Sequence, residues 1–192
     1  MKRITIPRIY VFALIAIFAL FPLLMTLVNG NDLKVEAIDL NAVEGSMILT
    51  ERQEEVKEAL SLCMQSEALF SLKTSAGDTV YKDESGYVFF EANDKETGAN
   101  ASGAMTISGE EAAKKVFKEL LAYGIVKGDG YIANVYPVIE STYNGEKDVF
   151  ENDKVVYYEI TITKEDSTGK TIETILSIYN NGGLSSFGYY SK

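Results

Sequence analysis

Residues 9–28, IYVFALIAIFALFPLLMTLV, run for 20 positions without a charged side chain. As a helix rising about 1.5 Å per residue, such a segment is about 30 Å long, the thickness of a bilayer's hydrocarbon core. Lys2, Arg3 and Arg8 precede or flank it, while Asp32, Glu36 and Asp39 follow. The tendency of basic flanks to stay in the cytoplasm puts the N-terminus inside and the remainder of the chain outside. Pro7 stands at the entry, where its missing N–H is harmless, and Pro22 falls inside the run, where it kinks a helix. The segment is longer than the apolar stretch of an ordinary signal peptide, which favours a retained anchor. The alternative is cleavage after Gly30, since Val28 and Gly30 stand at the −3 and −1 positions of such a cut. No Cys follows the run where a lipoprotein would need one. Either outcome delivers residues 31–192 to the same side of the membrane, outside the cell.

The order expected is a cytoplasmic basic tip (1–8), a transmembrane helix (9–28), a connector with room for a short helix (29–49) and an extracytoplasmic domain (50–192). Of the 192 residues, all 28 Asp and Glu lie beyond the apolar run, with 15 of the 18 Lys and Arg. The outer part is therefore strongly acidic and would be repelled by phosphate backbones, which argues against nucleic-acid binding. Histidine is absent and cysteine occurs once, at Cys63. Imidazole-dependent triads, Cys–His pairs and the usual zinc sites are thereby excluded, and no disulfide closes within the chain.

Within the outer part, Thr50 with Gln53 reads as a capping box opening a helix to about Leu72, with Val56, Leu60, Cys63, Met64 and Phe70 as its buried stripe. Cys63 on that stripe reads as a small buried hydrophobe. A hairpin is expected over 78–82 and 87–92, and a polar loop over 93–106. Ser108-Gly109-Glu110-Glu111 reads as a second capping box opening a helix that ends before Gly124, its apolar stripe running from Ala112 to Leu121. From Tyr131 the period changes to two, giving strands at 131–143, 155–163, 171–179 and 184–190, with a short arm after the Asn144-Gly145 turn. Pro137 marks an edge or bulge. The fold class expected is α+β, an N-terminal transmembrane helix followed by two helices packed on one face of a curved antiparallel sheet.

Alternation assigns strand faces. Val156, Tyr158, Ile160 and Ile162 point to the core with Ile172, Thr174, Leu176 and Ile178 of the next strand. The opposite set, Tyr157, Glu159, Thr161, Glu173, Ile175 and Tyr179, forms the candidate partner face, since tyrosine buries area while keeping a polar handle.

Gly169-Lys170-Thr171 looks like the end of a phosphate loop but lacks its first Gly and leads into a strand. Asp83/Glu84 and Asp148/Glu151/Asp153 read as solvated turn residues without calcium-loop spacing. Asn100-Ala101-Ser102 matches a glycosylation sequon, a pattern too common to weigh. No cofactor motif is present. A pair of distant carboxylates acting on a glycosidic bond is the one enzymatic alternative left.

The order of basic tip, one uninterrupted apolar helix, connector, helix and antiparallel sheet resembles the pilin-like membrane-anchored proteins of tight-adherence-type pilus systems in Gram-positive bacteria. The resemblance is one of layout and implies assembly through the apolar helix; it transfers no functional residue. The expectation overall is a non-enzymatic, single-pass protein of a bacterial envelope whose outer domain binds a protein or cell-wall partner.

Overall fold

A computed structural model describes residues 36–41, 43, 47–93 and 103–191. The expected membrane span, most of the connector and the sequon at Asn100 lie outside the described residues, among which no helix is long and apolar enough to cross a membrane. The fold is α+β, with two helices packed on one face of an antiparallel sheet. Its elements in chain order are β1 (Glu36–Asp39), α1 (Glu51–Gln65), β2 (Phe70–Lys73), β3 (Thr79–Lys82), β4 (Val88–Glu91), α2 (Gly109–Tyr123), β5 (Tyr131–Asn144), β6 (Val149–Glu165), β7 (Thr171–Asn180) and β8 (Gly183–Ser191). The eight strands lie in the order β1-β5-β6-β7-β8-β4-β3-β2. Tight turns join β5 through β8, so this central part is a meander.

Local chemistry sets the helix ends. Thr50 caps α1 with both halves of the capping box, its hydroxyl accepting from the Gln53 N–H and the Gln53 side chain accepting from the Thr50 N–H. Ser108 caps α2 by accepting from the Glu111 N–H at 3.2 Å, whereas the Glu111 carboxylate turns outward to Lys115 at 3.0 Å. Gly124 closes α2 at φ 76°, a left-handed conformation that costs glycine little. α1 stops at Gln65 instead of reaching Leu72. Ser66 leaves the helix at ψ 132° and its hydroxyl donates to the Ala68 carbonyl at 3.1 Å, reversing the chain into β2. Phe70 therefore opens a strand instead of joining the helix stripe. Met64, one step round from buried Cys63, is exposed, and Ala59 fills the stripe beside Val56 and Leu60.

α1 packs over β2 and β3, and α2 over β1, β5, β6 and β7. Between helices and sheet lie Leu60, Cys63, Val116, Leu120, Ile160, Ile162 and Phe187, each almost wholly buried. Side chains of the larger of these stabilise the fold by about 1.5–3 kcal/mol apiece. The connector, read as having room for a short helix, contributes an edge strand at Glu36–Asp39, with Ile38 and Leu40 drawn into the core beside β5. Pro137 lies beyond the stretch of β5 that β1 pairs, and the register slips between Val138 and Ile139, so the proline is accommodated at an edge near a bulge.

The faces of β7 are the reverse of those expected. Tyr158 stands opposite Tyr179, Ile160 opposite Ser177 and Ile162 opposite Ile175, and directly opposed residues share a face. Ile175, Ser177 and Tyr179 are therefore core residues, while Leu176 is turned out at 37% exposure. Ser177 is tolerated in the core because its hydroxyl donates to the Ile160 carbonyl at 3.0 Å.

Candidate functional site

The candidate partner face divides between the two sides of the sheet. Tyr157, Glu159 and Thr161 of β6 lie on the side away from the helices, as expected. Glu173, Ile175 and Tyr179 do not join them. Ile175 is fully buried, Tyr179 nearly so, and Glu173 accepts a 2.7 Å hydrogen bond from the hydroxyl of buried Tyr131. Register replaces them on the outer side with Thr174, Leu176 and Ile178, which alternate with the core residues of β7.

The outer side carries cross-strand rows. Ile132, Thr163, Thr174 and Tyr190 stand abreast on β5 to β8, and Asn134, Thr161, Leu176, Gly188 and Phe89 make the next row, ending on β4. Between these rows runs a shallow groove of about 450 Å³, lined by Tyr87, Thr163, Thr171, Ile172, Thr174, Leu176, Gly188 and Tyr190. None of these side chains is charged. Glycine at 188 leaves room for Tyr87, because a Cβ at this position would overlap the Tyr87 hydroxyl unless the ring moved. The Tyr87 ring thus lies across the backbone of β8 and walls the groove; burial, and the nearby Asp83 charge, push its hydroxyl pKa up. Glu159 lies on the same side of β6 between Thr161 and Tyr157, and partial burial raises its carboxyl pKa too.

A second feature was not foreseen as a site. β5 and β6 continue past the end of β1 and past Tyr179, the last residue of β7 paired to β6, and form a two-stranded arm over 139–154. At its tip the rings of Tyr143 and Phe150 stand directly opposite, centroids 5.3 Å apart, with Phe150 exposed at 70% and Tyr143 and Val149 also exposed. The tip is well braced. The Tyr143 hydroxyl donates to Asp148 at 2.6 Å, the Asn144 carbonyl and side chain take up turn N–H groups, and Lys147 meets Glu151 at 2.8 Å. Lys154 bridges to Glu140 at 2.7 Å across the arm. The sequence signal was available, since Tyr143 and Phe150 flank symmetrically the four-residue turn 145–148 that begins at Gly145.

Asp78, Glu119, Asp83 and Asp166 each have protein partners. Asp78 is gripped by Arg52, accepts from the Asn93 N–H at 2.7 Å and sits beside Thr74. Burial alone would raise its carboxyl, but these contacts outweigh that and hold it below the usual carboxylate range. Glu119 accepts from Tyr123 at 2.6 Å and Gln53 at 3.1 Å, and burial leaves its pKa raised. Asp83 organises its turn by accepting from Ser85 and Tyr87, and Asp166 does the same through Thr168 and Lys170. Cys63 is buried, and burial raises its thiol pKa. Comparison with protein-family models, curated proteins and solved structures finds no match.

Proposed function

We propose that this chain is a single-pass, membrane-anchored protein of a bacterial envelope whose outer domain binds a protein or cell-wall partner without performing catalysis. The observation that carries the binding role is the outer side of the sheet. It bears Tyr157, Thr161, Leu176, Ile178 and Tyr190 on an eight-stranded surface that neither helix covers. A sheet side that faces only solvent is ordinarily polar; here tyrosine, threonine and aliphatic residues stand beside Asn134 and Glu159, and tyrosine is enriched in interfaces. The anchor follows from the 20 uncharged residues 9–28 and their basic flank.

The test is a photoreactive residue at Leu176 of the full chain, irradiated in intact cells, with the same residue at Ser61 on the outer side of α1 as the control. A discrete adduct with one envelope component from position 176 alone, on a chain that protease reaches only from outside, supports the reading. Saturable turnover of an envelope substrate by the purified chain, lost on removing two carboxylates, would replace it with a hydrolase.

A further inference from the structure

The β5–β6 arm is not explained by the sheet-face reading, and its position relative to the chain's entry is informative. β1 runs antiparallel to β5, with Glu36 opposite Val135. The chain therefore enters β1 at the end of the sheet from which the arm projects. From Val135 the arm continues nine residues to Asn144, a reach of about 30 Å at strand rise. The last residue of the apolar run, Val28, and Glu36 are separated by eight residue steps, which span about 29 Å at most. The reach from Val135 to the arm's tip is thus comparable with the longest span of the tether, so the tip is long enough to meet the membrane surface.

The tip has the chemistry of a membrane interface contact. Tyr143, Val149 and Phe150 present an exposed, aromatic-rich end on a narrow ribbon, and amphipathic rings settle at the level of lipid headgroups. Of the seven charged side chains on the arm, four are paired with one another, Lys147 with Glu151 and Lys154 with Glu140, which lowers the cost of bringing these to that boundary, and Asp153 is exposed. Glu146 and Asp148 at the turn favour a zwitterionic surface over an anionic one.

We propose that the tip of the β5–β6 arm, through Tyr143, Val149 and Phe150, enters the lipid interface and gives the domain a second hold on the membrane that anchors it. This rests on the anchored reading above. The contact fixes the orientation of the domain, so that the outer side of the sheet is presented at a set angle.

Because the chain contains no Trp, Phe150→Trp supplies a single fluorophore at the tip. The full chain is reconstituted in phosphatidylcholine vesicles with and without bromine on the acyl chains, in parallel with Phe18→Trp in the apolar run and Leu62→Trp on α1. The expected result is quenching and a blue shift for the reporters at 150 and 18 and neither change at 62. Quenching at 18 without quenching at 150 overturns the arm contact and leaves the anchor standing. The arm contact is overturned in the same way if, without that quenching, a photoreactive residue at 150 joins a protein. Quenching at neither position overturns both. A tip reporter that loses its quenching when Tyr143→Ser and Val149→Ser are added confirms that the apolar tip makes the contact.

Discussion

Arg52, in the first turn of α1, holds the fully buried carboxylate of Asp78 with two guanidinium nitrogens, Nε donating to Oδ2 at 2.8 Å and Nη2 to Oδ1. Through the Asn93 N–H on the same carboxylate, this pair ties the first helix to the loop before β3 and to the chain leaving β4. A planar fork against a carboxylate fixes relative orientation as well as distance.

Removing either partner leaves the other without its match in a desolvated site. Arg52→Ala is expected to cost about 3–5 kcal/mol, the usual penalty for an orphaned buried charge, and Arg52→Lys to recover only part of it. Urea denaturation of the full chain in detergent measures both. The sign with pH follows from the lowered carboxyl pKa of Asp78. The stabilisation is complete above the ordinary carboxylate range and is lost as pH falls through the lower folded value. With Arg52 gone, burial favours the protonated carboxyl, so the deficit of Arg52→Ala should be full at pH 7 and shrink progressively as pH falls through the carboxylate range and below it.

Glu119 behaves in the opposite sense. Both its hydrogen bonds, from Tyr123 and Gln53, fall on one oxygen, Oε1, so an amide can accept both while carrying no charge. Its carboxyl pKa is raised by burial, which means that the neutral form suits the folded state. That favourable state is present below the ordinary pKa and is lost as pH rises through the folded value. Glu119→Gln should raise stability by about 1 kcal/mol at pH 7 and bring no gain near pH 4. An equal effect at both pH values would show that ionisation of Glu119 is not involved.

The reversed faces of β7 show where sequence reading stopped. The helix caps at Thr50 and Ser108, the αL glycine at 124 and the strands from Tyr131 onward were legible because local chemistry and period carry them. The orientation of β7 was not, since both of its alternating sets are apolar enough for a core. Ile172, Thr174, Leu176 and Ile178 look the better candidates, and only the pairing of Ile162 with Ile175 decides otherwise. Register is a long-range property, and a shift by one residue exchanges every side chain on a strand. The same limitation split the candidate partner face, keeping Tyr157, Glu159 and Thr161 while burying Ile175 and Tyr179.

This register has a direct test in neighbouring residues. Ile175→Asp places a charge among Ile162 and its neighbours, and the loss should exceed about 3 kcal/mol or abolish folding. Leu176→Asp meets solvent and should change stability by less than about 1 kcal/mol. Reversal of that order, read from thermal or urea midpoints, would restore the faces expected from hydropathy alone.

Gly188 and Tyr87 should be coupled. A methyl group at 188 meets the Tyr87 ring, and the ring must swing away for the strand to stay in register. Gly188→Ala alone is expected to cost about 1–3 kcal/mol, in the range of overpacked sites. In a Tyr87→Ser background the ring is gone and most of that cost should vanish, because β8 at this position is otherwise ordinary extended strand. A double-mutant cycle reads the coupling directly, and simple additivity of the two substitutions would mean that Tyr87 does not lie across β8 in solution.

The arm should be energetically separate from the body. Two strands without a third neighbour are marginal in isolation, and beyond Ile139 the arm is held chiefly by cross-strand contacts, the ring pair and the bridges of Lys147 and Lys154. Amides of residues 140–144 and 149–153 should therefore exchange with solvent by local opening, well before those of Ile160, Ile162 and Ile175. Phe150→Ser removes an exposed ring and should leave the global unfolding midpoint within about 0.5 kcal/mol of the parent, while accelerating exchange in the arm alone. If it instead lowered protection across β6 and β7 together, the arm would be part of the cooperative core. Its exposed aromatic tip would then have a structural purpose within the fold.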